Sequence, residues 1–272
     1  MNTDDLSYDQ QAEAFDIRAG LSDAIAQRVA DAVLRRGLRG GAGCVLEIGA
    51  GTGEVGRWLC KPDRRYVAID SSSAMLERFR SRLSGGASAE LICADANDAW
   101  PVDSDAVSLI FGSRVFHLLR VEHVLREALR VAHQPGAALL LGRVKRARDS
   151  VRTLMRKRMR ELLIEHGVEP RPTERNRSQL LEQSLALGGE PVEVFEAARW
   201  QAKHRPIDSI LAWRGKDSMG GIVPSAEVKD RVLTRLAQWA TETFGDADKE
   251  FPTEEQYVIE GTYLKKNGGR IT

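Results

Sequence analysis

Cys44-Val-Leu-Glu-Ile48 runs without a break into Gly49-Ala-Gly51-Thr-Gly53-Glu-Val-Gly56. The first five residues have the short apolar pattern of a buried strand, and the glycines that follow end it in a tight turn. Glycine allows positive φ and lets the backbone approach a ligand where a side chain would clash. Glu54–Cys60 then restarts a helix. Upstream, residues 22–36 form a helix with Ser22 as N-cap and Ile25, Val29, Ala32 and Val33 at helical spacing. The glycine-rich stretch 37–43 ends it.

Downstream the alternation repeats. Tyr66-Val-Ala-Ile69 is a second strand ending at Asp70, followed by a helix over Ser72–Leu83 with Met75, Leu76, Phe79 and Leu83 on one side. Leu91-Ile-Cys93 ends at Asp95, Val107–Phe111 is a fourth strand, and Val121–Val131 is a helix. Pro135-Gly136 turns the chain into a fifth strand, Ala137–Leu141. Strand and helix in this rhythm specify an α/β fold with a parallel sheet covered on both faces. In such sheets ligands bind beyond the carboxyl ends of the strands, where Gly49–Gly53, Asp70 and Asp95 all fall.

After Leu141 the pattern changes. Residues 151–164 read as a basic amphipathic helix, with Val151, Leu154, Met155, Met159, Leu162 and Leu163 on one face. A helix over 177–187, a strand over Val192–Trp200, a helical stretch near Ile207–Trp213 and a longer helix over Ala226–Phe244 follow. Gln256–Leu264 alternates, with Tyr257, Ile259, Gly261 and Tyr263 on one side, and reads as a late strand.

The glycine turn admits two readings. Gly51-x-Gly53-x-x-Gly56, with Asp70 19 residues after Gly51, satisfies the dinucleotide fingerprint of an NAD(P)-dependent oxidoreductase. Against this, the strand ends at Ile48, so the turn begins at Gly49, earlier than the fingerprint wants. Glu47 at the strand end would repel a pyrophosphate, and no Lys or Arg follows before Arg57.

Glu47-Ile-Gly49-Ala-Gly51-Thr-Gly53 instead resembles motif I of class I S-adenosylmethionine-dependent methyltransferases. Val67–Leu76, Ala94-Asp95-Ala96, Trp100–Leu119 and Val131–Gly136 resemble that family's next segments in order, so the likeness is continuous over about 44–143. The resemblance implies a Rossmann-like sheet, mostly parallel, of seven strands with the last antiparallel, and a helical cap. It also implies one methyltransferase domain over 1–272, with a helical leader (1–36), a cofactor-binding core (44–143) and cap insertions at 146–175 and 204–250. The implied cofactor is S-adenosyl-L-methionine, leaving as S-adenosyl-L-homocysteine.

Under this resemblance Gly49, Gly51 and Gly53 let the loop backbone approach the cofactor. Asp70 takes the ribose hydroxyls on its two acceptor oxygens. Ser71, Met75 and Ser113 lie along the same site, and Asp95 with the Ala96 amide meets the adenine. Glu47 suits a cationic cofactor, directly or by holding the loop. Tyr8 and Arg18, in the leader Tyr8–Arg18, are placed over the methionine end, where an Arg pairs with a carboxylate. His117, after the fourth strand, is the candidate general base, since imidazole titrates near neutral pH. Phe116, Trp200, Trp213, Arg214 and Met219 are candidate acceptor contacts, and Gly215, Gly220 and Gly221 candidate lid hinges.

The Asn/Asp-Pro-Pro-Tyr/Phe motif of amino-methylating DNA and glutamine enzymes is absent, with Gly112-Ser-Arg-Val115 in its place, and there is no Pro-Cys nucleophile. The pattern is most similar to the quinone-ring and natural-product branch. The expected acceptor is therefore a small organic molecule, methylated on oxygen, nitrogen or activated carbon.

The 272 residues carry 40 Lys+Arg against 39 Asp+Glu, and 42% are hydrophobic, enough for a buried core. Near-neutrality argues against a general nucleic-acid binder, but 143–177 holds 12 cations and 5 acids. That surplus suits an acidic or carrier-bound acceptor. It also leaves a nucleic-acid methyltransferase as an alternative, or is met by the acidic stretch 242–260. No apolar run approaches the roughly 20 residues of a membrane helix, and the acidic start does not read as a signal peptide. The three cysteines are widely spaced, with no metal-ligand pattern, so no metal is expected and a reducing cytoplasm is. A homodimer is left open.

Overall fold

The computed structural model describes residues 20–38, 43–83, 88–133, 135–171 and 175–265. The chain divides into two compact units. The first comprises Met1–Arg143, Glu174–Ala198 and Tyr257–Thr272, and the second Val144–Thr173 and Arg199–Gln256.

Seven strands form one sheet in the order β3-β2-β1-β4-β5-β7-β6. They are β1 (Cys44–Ile48), β2 (Tyr66–Asp70), β3 (Glu90–Cys93), β4 (Val107–Ser113), β5 (Gly136–Arg146), β6 (Glu190–His204) and β7 (Phe251–Lys265). β1 to β5 pair in parallel. β7 runs antiparallel to β5: Gly136 lies against Leu264 and Gly142 against Tyr257, so numbers fall along β7 as they rise along β5. This is the mostly parallel sheet with a reversed late strand that the resemblance implies. It is not the order 3-2-1-4-5-6 of dinucleotide-binding sheets.

In the first unit, β1 is buried at all five positions because helices cover both of its faces. One face carries Leu46, Ile48, Val67, Ile69, Val107, Leu139 and Leu141, closed by Val121, Val124, Leu125 and Ala128 of α4 (Val121–Val131) and Leu180 of α6 (Arg175–Ala186). The other is approached by α1 (Asp23–Gly37), whose Ala26, Val29, Ala30 and Val33 are buried. Two short helices frame the glycine turn, α2 (Gly56–Leu59) and α3 (Ser73–Arg82).

The second unit has its own core. Val151, Met155, Met159, Leu162 and Leu163 of α5 (Val151–Glu165) pack with Ile210 of α7 (Pro206–Arg214), Met219, and Val232, Leu233, Leu236 and Ala240 of α8 (Ala226–Phe244). Trp213, Trp239, Phe244 and Phe251 pack around that cluster.

β5, β6 and β7 are each longer than their apolar windows suggest. β6 mostly alternates exposed with more buried residues, and Glu193, Glu196 and Lys203 are among the exposed ones. A half-wet antiparallel strand shows alternation rather than an apolar run, and a search for apolar runs truncates it.

Candidate active site

The turn after β1 is held almost wholly by backbone. Gly49, Gly51 and Gly53 have φ of 64°, 55° and 74°. Side chains at Gly49 and Gly53 would overlap Val115 and Phe79. At Gly51 nothing among the described residues lies within 4 Å of where a Cβ would stand, so this part of the turn is open on that side to them. The Gly51 amide donates to Asp70 Oδ2 at 2.7 Å, and the Ser72 amide to Asp70 Oδ1 at 3.0 Å. Asp70 thus ties the glycine turn to the end of β2. The helix cap is Ser72, whose Oγ accepts from the Met75 amide at 3.2 Å, and not Asp70.

At the next strand end, Asp95 is exposed and its Oδ1 accepts from the Asn97 amide at 2.8 Å. Ala96 beside it is buried, and its carbonyl accepts from Trp100 Nε1 at 3.0 Å. Ser71 is exposed. Met75 is buried on the inner side of α3 with Leu76 and Phe79, where it packs rather than lining an open surface.

Glu47 lies beneath the turn. It is 2% exposed, accepts a hydrogen bond from Tyr66 Oη, and has the Cα of Gly56 against it. Burial pushes its carboxyl up to about 8, so at neutral pH it is mainly the uncharged acid. This corrects the expectation of a direct charge contact with a cationic ligand: the geometry leaves Glu47 the role of holding the loop. Gly56 has the same explanation, since a side chain there would overlap Glu47 and Tyr66. It permits close helix-to-strand packing and does not by itself require a pyrophosphate.

The end of β4 holds a group that the sequence did not single out. Arg114 adopts φ 61° and donates to Glu54 Oε2 at 2.6 Å, while the Leu21 amide donates to Glu54 Oε1. Glu54 follows the glycine turn, so one carboxylate joins the entry to α1, the turn and the end of β4. Beside Arg114, Ser113 Oγ accepts from Tyr257 Oη of β7 at 2.5 Å. The missed residues are Glu54, Tyr66, Arg114 and Tyr257. Tyr257 lay on one side of an alternating strand, but nothing in the sequence pointed to a partner 144 residues away.

His117 is exposed in a 3-10 turn, Phe116–Leu118, that follows β4. Phe116 is 5% exposed and belongs to the first unit's core, so it is a packing residue and not an open acceptor contact. Met219 is likewise a correction, at 1% exposure within the second unit's core, and Trp213 packs against the same cluster. Trp200 is half-buried and Arg214 exposed, both in the second unit. Gly220 and Gly221 have positive φ and lie against Pro170 and Arg171, whereas Gly215 caps α7 with negative φ. Tyr8 and Arg18 lie outside the described residues.

A cavity of about 390 Å³ is lined by Gly20, Leu21, Ser22, Asp23, Glu54, Arg57 and Arg82. It touches the flank of the glycine turn through Glu54 but includes neither Asp70, Asp95 nor His117. Part of the cation surplus of 143–177 is met by the acidic stretch. Arg143 and Arg177 pair with Glu260 in the first unit, and Arg146 with Glu255 in the second. Among the described residues no group of side chains has the makings of a metal site, and no helix is long and apolar enough to cross a membrane.

Comparison with known proteins agrees with this geometry. Residues 45–136 match the family model described as a methyltransferase domain. Over 100 residues the chain is 37% identical to a demethylmenaquinone methyltransferase of Clavibacter sepedonicus. That match takes in 36% of this chain and spans only 39% of the relative's length. Among solved structures, the YcgJ protein from Bacillus subtilis superposes with a TM-score of 0.52 at 18% identity, over 89% of this chain and 99% of that one. The 4+2 cyclase SpnF also gives 0.52 at 18% identity, over 92% and 85%. At such identities these structures establish the fold alone. The sheet order and these structures give the Rossmann-like fold of class I methyltransferases, and residues 45–136, from β1 to the start of β5, are similar to a methyltransferase domain.

Proposed function

We propose that the chain binds S-adenosylmethionine beyond the carboxyl ends of β1 to β4 and transfers its methyl group to a small organic acceptor, through oxygen, nitrogen or activated carbon, in biosynthetic or secondary metabolism. The observation that carries this reading is the glycine turn pinned to Asp70 at 2.7 Å while, among the described residues, nothing stands over Gly51. A ligand can meet bare backbone there, beside the Asp70 carboxylate. The cofactor supplies a methyl group already activated on a sulfonium sulfur.

The residues present then have distinct tasks. Asp70 holds vicinal hydroxyls, and exposed Asp95 accepts from an exocyclic amine at the next strand end. The Arg114–Glu54 pair fixes the end of β4 against the turn. His117, exposed after β4, is the candidate to take a proton from an acceptor nucleophile. Such an enzyme acts chiefly by orienting the two reactants. Trp200 and Arg214 remain candidates for contacts with an acidic or carrier-bound acceptor, and the free cysteines suit a reducing cytoplasm.

Calorimetric titration with S-adenosylmethionine, S-adenosylhomocysteine, NADH and NADPH tests the reading. Micromolar binding of the sulfur ligands alone, lost in Asp70→Ala, is the expected result. Binding of a nicotinamide cofactor instead would sink it. Demethylmenaquinone is the first acceptor to try, because the relative that is 37% identical over 100 residues is named for it. Product formation that falls in His117→Ala with unchanged cofactor affinity supports the base role, and unchanged turnover removes it.

A further inference from the structure

Tyr257 is completely buried, and its phenol reaches over Gly142 of β5 to Ser113 at the end of β4. Any side chain at Gly142 would overlap the phenol oxygen, so the path across β5 exists only because that residue is glycine. Burial holds the phenol well above its ordinary range, so it keeps its hydrogen throughout the neutral region. Among the described residues Ser113 Oγ is the polar atom within reach of this buried hydroxyl, so the phenol's hydrogen goes there: Tyr257 donates and Ser113 Oγ accepts. A serine hydroxyl has one hydrogen of its own. Among the described residues, that hydrogen meets no protein acceptor, although Ser113 is only half-buried.

We infer that Tyr257 is a positioning residue that locks Ser113 as a hydrogen-bond donor, presenting its hydroxyl hydrogen to an acceptor atom of the bound S-adenosylmethionine-type ligand. The inference rests on the cofactor reading above and adds to it a polar contact governed from β7. Without the phenol, the serine hydroxyl is free to rotate and to spend its hydrogen elsewhere. With it, one lone pair is occupied and the hydrogen is confined to the remaining directions.

Calorimetric titration with S-adenosylhomocysteine tests this on the full chain and on Tyr257→Phe, Ser113→Ala, Ser113→Thr and the two Tyr257→Phe double variants. Tyr257→Phe and Ser113→Ala should each weaken binding, roughly 5- to 10-fold, as the loss of one neutral hydrogen bond does. The Ser113→Ala/Tyr257→Phe double variant should bind no more weakly than Ser113→Ala alone. Ser113→Thr keeps the hydroxyl, and in that background Tyr257→Phe should again weaken binding. A purely structural tyrosine would lower affinity by the same factor in every background, and that result overturns the inference, as does unchanged affinity in Tyr257→Phe. Thermal unfolding of each variant confirms that folded protein is being compared. If the unsubstituted chain fails to bind S-adenosylhomocysteine, the cofactor reading falls first and the inference falls with it.

Discussion

The two halves of the sheet hold their chemistry differently. In the parallel half, β1 to β4, the glycine turn itself is fixed chiefly through backbone: three glycines at positive φ and two amides on Asp70. In the antiparallel half, β5 to β7, it is fixed by side chains from distant parts of the chain: Tyr257 on Ser113, and Arg143 and Arg177 on Glu260. A parallel strand is covered on both faces and leaves its chemistry to strand ends, where turns supply amides. An antiparallel strand with one wet face alternates, so polar side chains can enter the interior between apolar ones.

That contrast can be broken first at the glycines. Gly53→Ala puts a methyl into the Phe79 ring at a φ of 74°, and should destabilise by about 2–5 kcal/mol, strain and overpacking together. Gly51→Ala meets none of the described residues and should cost only about 1–2 kcal/mol from its φ of 55°. Urea unfolding of both checks the difference. Equal losses would mean that packing against α3 does not set the turn.

Glu47 supplies the next effect. Its folded carboxyl, at about 8, lies above the ordinary 4.5, so the native state holds the proton more tightly than the unfolded one. Its stabilisation is complete below pH 4.5, declines as pH rises toward 8, and is gone above that. The fall approaches about 1.4 kcal/mol per pH unit for one proton. Glu47→Gln should flatten this slope between pH 5 and 8 in denaturation series. An unchanged slope would exclude Glu47 as its source.

In the antiparallel half, Gly142→Ala should displace the Tyr257 phenol and cost about 1–3 kcal/mol. It should lower S-adenosylhomocysteine affinity by the same factor as Tyr257→Phe. Full affinity in Gly142→Ala would separate the phenol from the site. The smallest effect belongs to the exposed pair Arg65–Glu90 across β2 and β3, with N–O distance 2.7 Å. Glu90→Gln should change stability by less than about 1 kcal/mol, and the difference should shrink in high salt.

The parallel half was legible because its determinants are local. Cys44–Gly56 contains both the strand and its turn, and Asp70 ends the next strand after a short helix. The same reading mistook Phe116 and Met219, because an apolar side chain after a strand or in a loop looks alike whether it lines a site or fills a core. Their burial at 5% and 1% is decided by what packs on them. Glu47 was seen as a charge, yet its surroundings make it an acid at neutral pH.

The sequence alone determined the order of strands and helices through β5, the glycine turn and the carboxylates at the strand ends. These depend on short-range periodicity and on the few residues that tolerate positive φ. Tertiary structure alone decided that β7 lies between β5 and β6, that Glu54 clasps Arg114, and that Tyr257 reaches Ser113 over Gly142. Those partners are separated by 60 and 144 residues. Only chain folding brings them together, because a hydrogen bond requires contact in space and leaves no spacing in the sequence to read.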